Sequence, residues 1–149
     1  MREILFRGKC KNGYDYSNGD GWVYGSLLQK DESVVIVRAK DIDFARKSTD
    51  DGFTFINDFS CIPVDSNTIG QFTGLTDKNG SKIFEGDVFM SHVGLKMTIE
   101  WQNDYCLYMM RWLSDNYQMK TDAKFLNKSE IIGNIHDNNN EKNYENRGY

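Results

Sequence analysis

The chain has 149 residues, of which 39% are hydrophobic, 13% aromatic and 27% charged, with a formal net charge of −4. That length suits one domain able to bury a core without disulfide or metal staples, and the apolar content excludes a disordered chain. Three alanines and one proline beside 13 glycines exclude a helical bundle, a proline-rich linker and a collagen-like repeat, because alanine is the residue that most favours a helix.

Glu3 to Lys9 predicts a short strand, apolar at Ile4, Leu5 and Phe6 and ended by Gly8. Lys11 to Gly21 is turn chemistry, with Asn-Gly twice and Asp-Gly once, pairs that tolerate positive φ. Trp22 to Leu28 predicts a strand with Trp22, Tyr24 and Ser26 on one face and Val23, Gly25 and Leu27 on the other. Asp31-Glu32-Ser33 closes a hairpin into the β-branched run Val34 to Arg38, which suits a pleated surface better than a helix. Asp41 to Lys47 predicts a helical turn, with Ile42, Ala45 and Arg46 at helical spacing, and Phe53 to Ile56 is a short apolar stretch. Pro63 punctuates Cys61 to Val64. Asp65-Ser66-Asn67 then predicts a turn, and Thr68 to Phe72 a strand ending at Gly74.

Asp77-Lys78-Asn79-Gly80 is a tight-turn signature. Ile83-Phe84 and Val88-Phe89-Met90 flank Glu85-Gly86-Asp87, where a glycine inside a strand pattern predicts a bulge or sharp bend. Lys96 to Trp101 alternates, predicting Met97, Ile99 and Trp101 inward and Lys96, Thr98 and Glu100 outward. Gln102-Asn103-Asp104 turns it into Tyr105 to Leu113, large on both faces, whose second-face aromatics would suit a subunit interface. A helix is expected within Thr121 to Lys128 and a last strand over Glu130 to Ile135. Residues 138–149 are an Asn-rich polar tail with little to bury. These elements predict a mainly β fold (a β-rich α+β fold). Its many short antiparallel strands would form a bent barrel or sandwich with one or two short helices.

Residues 1–47 carry nine Lys/Arg against seven Asp/Glu, and residues 48–149 nine against fifteen. No basic cluster of the kind that neutralises phosphates stands out. Ser48 to Asp77 lacks Lys and Arg and carries Asp50, Asp51, Asp58, Asp65 and Asp77, which read as solvated carboxylates or as a surface for a basic partner. Cys10, Cys61 and Cys106 share no metal-ligand spacing, and His92 and His136 stand apart, so free thiols in a reducing cytosol are expected and no metal or cofactor is implied. A signal-peptide core and a run of ~20 apolar residues are both missing, which predicts a cytoplasmic chain without a membrane partner. Glu85 and Asp87 are candidates for an acid/base pair or a metal, set against a turn-stabilising role. Gly70 to Gly74 has spaced glycines but no following helix to cradle phosphate. Trp22, Trp101 and Trp112 could stack bases, although the position of Trp101 favours a core.

The segments REILFRGK, GWVYGSLL, TIGQFTGLTDKNGSKIFEGDV (Thr68 to Val88), TIEW and SEIIGNIHDN occur in the same order as in the YopX-like proteins of phages and prophages, which the chain resembles over about residues 2–138. The resemblance implies a small, β-rich, cytoplasmic protein of a phage or integrated element and brings no catalytic or ligand-binding residues. On that basis residues 1–137 are expected to form a single β-rich domain, with subregions 1–60 and 61–137, followed by the tail 138–149. The expected function is a non-catalytic interaction module acting on a phage or host protein, with homo-oligomers as an option. A nucleic-acid-binding β-barrel is the alternative, and an enzyme using Glu85 and Asp87 a third reading.

Overall fold

Strand-forming segments separated by glycine and Asx turns account for nearly all regular structure in the computed structural model, which describes residues 1–11, 19–39 and 59–137. The expected helical turn at Asp41 to Lys47, the stretch Phe53 to Ile56, Asp50, Asp51 and Asp58, most of the Lys11 to Gly21 turn and the tail 138–149 lie outside the described residues. The chain divides into two compact units, Leu5–Ile69 and Gly70–Tyr149 together with Met1–Ile4.

In the Leu5–Ile69 unit, β1 (Phe6–Lys9), β2 (Trp22–Lys30), β3 (Ser33–Ala39) and β4 (Phe59–Pro63) pair antiparallel in the order β4-β3-β2-β1. Asp31 and Glu32 form the two-residue β2–β3 turn, with Asp31 at φ 52°, a conformation that aspartate tolerates. Leu27 lies opposite Ile36, and Ile36 opposite Ile62, so one face carries a continuous apolar row. Val23, Val34, Ile36, Ile62 and Val64 make the buried core there, with Phe6, Cys10, Leu27 and Ile69 packed around it. Each such side chain contributes about 1.5–3 kcal/mol on burial. Gly25 is required by close approach, since a Cβ there would stand 2.2 Å from the Val37 carbonyl oxygen. The predicted Asp65-Ser66-Asn67 turn is a 3₁₀ turn, Ser66–Thr68, whose Asp65 carboxylate accepts from the Asn67 N–H at 3.0 Å.

The second unit holds the hairpin β5 (Gly70–Thr76) and β6 (Lys82–Phe84), followed by β7 (Asp87–Met90), β8 (Lys96–Gln102), β9 (Leu107–Trp112), β10 (Gln118–Lys120), α1 (Ala123–Leu126) and β11 (Glu130–Asn134). Five of these strands form an antiparallel sheet in the order β10-β9-β8-β7-β11. Its register aligns Ile99 with Met110 and Met119, and Phe89 with Met97 and Trp112. Ile83, Phe89, Met97, Ile99, Met110 and Leu126 form its core, so α1, capped by Asp122 through the Lys124 N–H, contributes one fully buried side chain.

The mainly β expectation holds, with antiparallel sheets and one short helix among the described residues. The strands do not close into a barrel; the five-stranded sheet ends at β10 and β11. The expected alternation of Lys96 to Trp101 is corrected at two positions. Thr98 is 0% exposed, whereas Trp101 is 43% exposed because it stands at the far end of β8, past the packed centre of the sheet. Tyr105 belongs to the turn before β9 rather than to the strand, and Cys106 in that turn has φ 50°. The first strand begins at Phe6, leaving Ile4 exposed, and β10 is an additional short strand. No helix of the described residues is long and apolar enough to cross a membrane.

Candidate functional site

Glu85-Gly86-Asp87 forms the predicted sharp bend, with Gly86 at φ 82°. Its N–H donates to the Ile99 carbonyl at 2.8 Å and its carbonyl accepts from Ile135 at 2.9 Å, so the bend ties β8 to the end of β11. Asp87 is 1% exposed; its Oδ2 accepts from the Phe84 N–H at 2.7 Å and its Oδ1 faces the Asn134 amide at 3.4 Å. Asn134 is anchored in turn, its N–H donating to Asp137 and its side-chain oxygen accepting from His136. Glu85 is half-buried and accepts from the Trp101 backbone N–H at 3.2 Å. The geometry thus gives both sequence candidates backbone-bracing contacts. Asn134 and Asp137, 47 or more residues away, join this knot without any local signal in the sequence.

Asp77 makes the neighbouring turn in the same way. Oδ1 accepts from Asn79 at 2.8 Å and Ser81 at 2.9 Å, and Oδ2 from Ile131 at 3.2 Å. Burial works to raise its pKa, but the hydrogen bonds from Ser81, Ile131 and Asn79, with the charge of Lys78, outweigh it and hold the carboxyl below its ordinary value. Thr73 serves the same hairpin, donating to the Ile83 carbonyl at 2.8 Å.

The Leu5–Ile69 sheet uses its two faces differently. Opposite the core, β2 presents Tyr24, Ser26 and Leu28, β3 presents Val35 and Val37, and β4 presents Cys61 and Pro63. Leu28 is 58% and Tyr24 41% exposed. On the same face of β1, Arg7 and Lys9 lie over the Trp22 ring, 4.5 and 5.2 Å from its centroid. Trp22 is buried under these cations, so its ring is committed within the fold rather than presented for stacking. The signal for this face was present in the sequence, because the predicted strands at Trp22 and Val34 are apolar on both faces.

The aromatics expected on the second face of β9 lie elsewhere. Tyr108 and Trp112 pack against the core, while the opposite face carries Leu107, Met109 and Arg111, whose guanidinium pairs with Glu100 at 2.6 Å. At the end of the β8–β9 hairpin, exposed Trp101 faces half-buried Tyr108 across the strands at 5.1 Å, with exposed Tyr105 in the turn. Cys10, Cys61 and Cys106 form no disulfide, and His92 is exposed with its ring against Phe125. Among the described residues no group of three or more His, Cys, Asp or Glu side chains is arranged to hold a metal ion.

The profile of one protein family, described as YopX protein, matches residues 6–141, nearly the whole chain. No curated protein shows a significant match.

Proposed function

The chain belongs to the YopX protein family, and on that premise we propose that it is a phage- or prophage-encoded cytoplasmic protein acting as a non-catalytic interaction module. It binds a phage or host protein and can self-associate. The observation that supports this reading is the apolar face of β2, β3 and β4 opposite the core, with Tyr24, Leu28, Val35 and Val37 side by side. Leu28 and Tyr24 are exposed and Val35 and Val37 half-buried beside them, and apolar side chains grouped on a sheet face in this way favour an interaction surface. Glu85 and Asp87 are given no catalytic role, since both carboxylates brace the backbone around Gly86.

Light scattering over a concentration series, with affinity capture from host cells, tests the reading on the wild type and a Leu28→Glu/Val37→Glu variant. Self-association or a reproducible partner, lost in the variant while circular dichroism is unchanged, is the expected result. A wild type that stays monomeric and captures nothing beyond what the variant captures overturns it. The nucleic-acid alternative draws on the nine Lys/Arg against seven Asp/Glu in residues 1–47. It predicts binding to single strands at ~50 mM salt that weakens steeply as salt rises.

A further inference from the structure

We propose that the end of the β8–β9 hairpin is a binding site for a cationic side chain, a guanidinium or ammonium group presented by a basic segment of a partner protein. Trp101 and Tyr108 are direct cross-strand partners, with their rings edge to face at 5.1 Å. Trp101 is 43% exposed, and its indole N–H donates to the Asn103 side chain at 3.0 Å, which fixes the ring before any ligand arrives. Tyr105, 65% exposed, sits in the intervening turn. The face of an exposed indole attracts a cation through its quadrupole, and a tyrosine beside it extends the same surface.

The charges around the rings favour the same ligand. Glu85 reaches the Trp101 backbone at 3.2 Å, which places a carboxylate beside the aromatic pair, and Asp104 lies in the exposed turn. The Tyr108 phenol is held above its ordinary pKa, first by burial and then by Glu85, with Arg2 acting the other way more weakly. At the phenol the Glu85 charge outweighs that of Arg2, the chain's own cation nearby. Trp101 to Met110 contains no Lys or Arg, and residues 48–149 carry nine Lys/Arg against fifteen Asp/Glu. A polyphosphate backbone would be repelled here, whereas a basic peptide would be drawn in. These residues differ from those of the apolar sheet face, so either proposal can fail while the other stands.

The test is titration of a capped tetra-arginine peptide into the full chain at ~50 mM salt, followed by tryptophan fluorescence and calorimetry. Saturable one-to-one binding is expected, weakened about tenfold by Trp101→Leu and restored in large part by Trp101→Phe. Glu85→Gln should weaken binding about threefold and Arg2→Gln should strengthen it, while Leu28→Glu/Val37→Glu leaves it unchanged. Binding that ignores Trp101→Leu overturns the proposal, as does a folded wild type that fails to bind the peptide. Preference for an oligothymidylate over the peptide, sensitive to Trp101→Leu, would also overturn it in favour of nucleic acid.

Discussion

In the Leu5–Ile69 unit, β2 and β3 are apolar on both faces, but the core described above occupies only one of them. In the second unit the corresponding surplus is packed inward, with Tyr108, Trp112, Met119 and Ile131 set around Ile83, Phe89, Met97, Ile99, Met110 and Leu126. Turn carboxylates serve the backbone in both units, Asp20 and Asp65 in the first. Asp77, Asp87 and Asp122 in the second unit all accept backbone N–H groups of their own turns. Similar strand chemistry thus leaves apolar side chains on a second face in one unit and packs them inward in the other. Apolar side chains exposed on a sheet face are available to partners, and carboxylates saturated by backbone donors are poorly placed for catalysis.

The sharpest way to break this contrast is to truncate one large side chain in each place. Phe89→Ala should cost about 3–5 kcal/mol in urea unfolding, and Leu28→Ala on the exposed face less than about 1 kcal/mol. Equal costs would mean that the β2–β4 face is a second core and not a surface. Gly25→Ala tests the close approach to Val37, with an expected loss of about 2–3 kcal/mol, since the added Cβ meets backbone that cannot move aside.

Asp77→Ala should destabilise by about 2 kcal/mol at neutral pH, because three backbone N–H groups lose their acceptor. The pH dependence has a definite sign. The folded-state pKa of Asp77 lies below its ordinary 3.8, so its contribution is complete above that value and is lost as pH falls through the lower folded value. The stability gap between wild type and Asp77→Ala should therefore be constant from pH 5 to 7 and close in strong acid; a gap that widens there would contradict the assignment. The smallest expected effect is a gain. The Thr98 hydroxyl is fully buried with no hydrogen-bond partner among the described residues, so Thr98→Val should stabilise by about 1 kcal/mol in the same unfolding assay.

Turns were the most legible part of the chain. Asp77 to Gly80, Glu85-Gly86-Asp87 and Asp65 to Asn67 each carry the residues that a local backbone conformation demands, and each forms where expected. The resemblance to the YopX-like proteins was legible too, and the family match over residues 6–141 agrees with it. Burial along β8 was not legible, because alternation tells which side a residue points to but not whether anything lies on that side. The candidate cation site was half visible: Trp101 was singled out, yet as a core residue. Its cross-strand partner Tyr108 depends on a register that local pattern leaves open.

What the sequence determined by itself is the scarcity of helix, the position of the bends and the apolar strands between them, since each follows from the φ and side-chain preferences of a few adjacent residues. Tertiary structure alone decided that Thr98 is buried and Trp101 exposed, that Asp87 meets Asn134 across 47 residues, and that Leu28 and Tyr24 on β2 stand exposed. Those outcomes depend on which strands pair and what covers each face, and packing energy distributed over distant residues selects them.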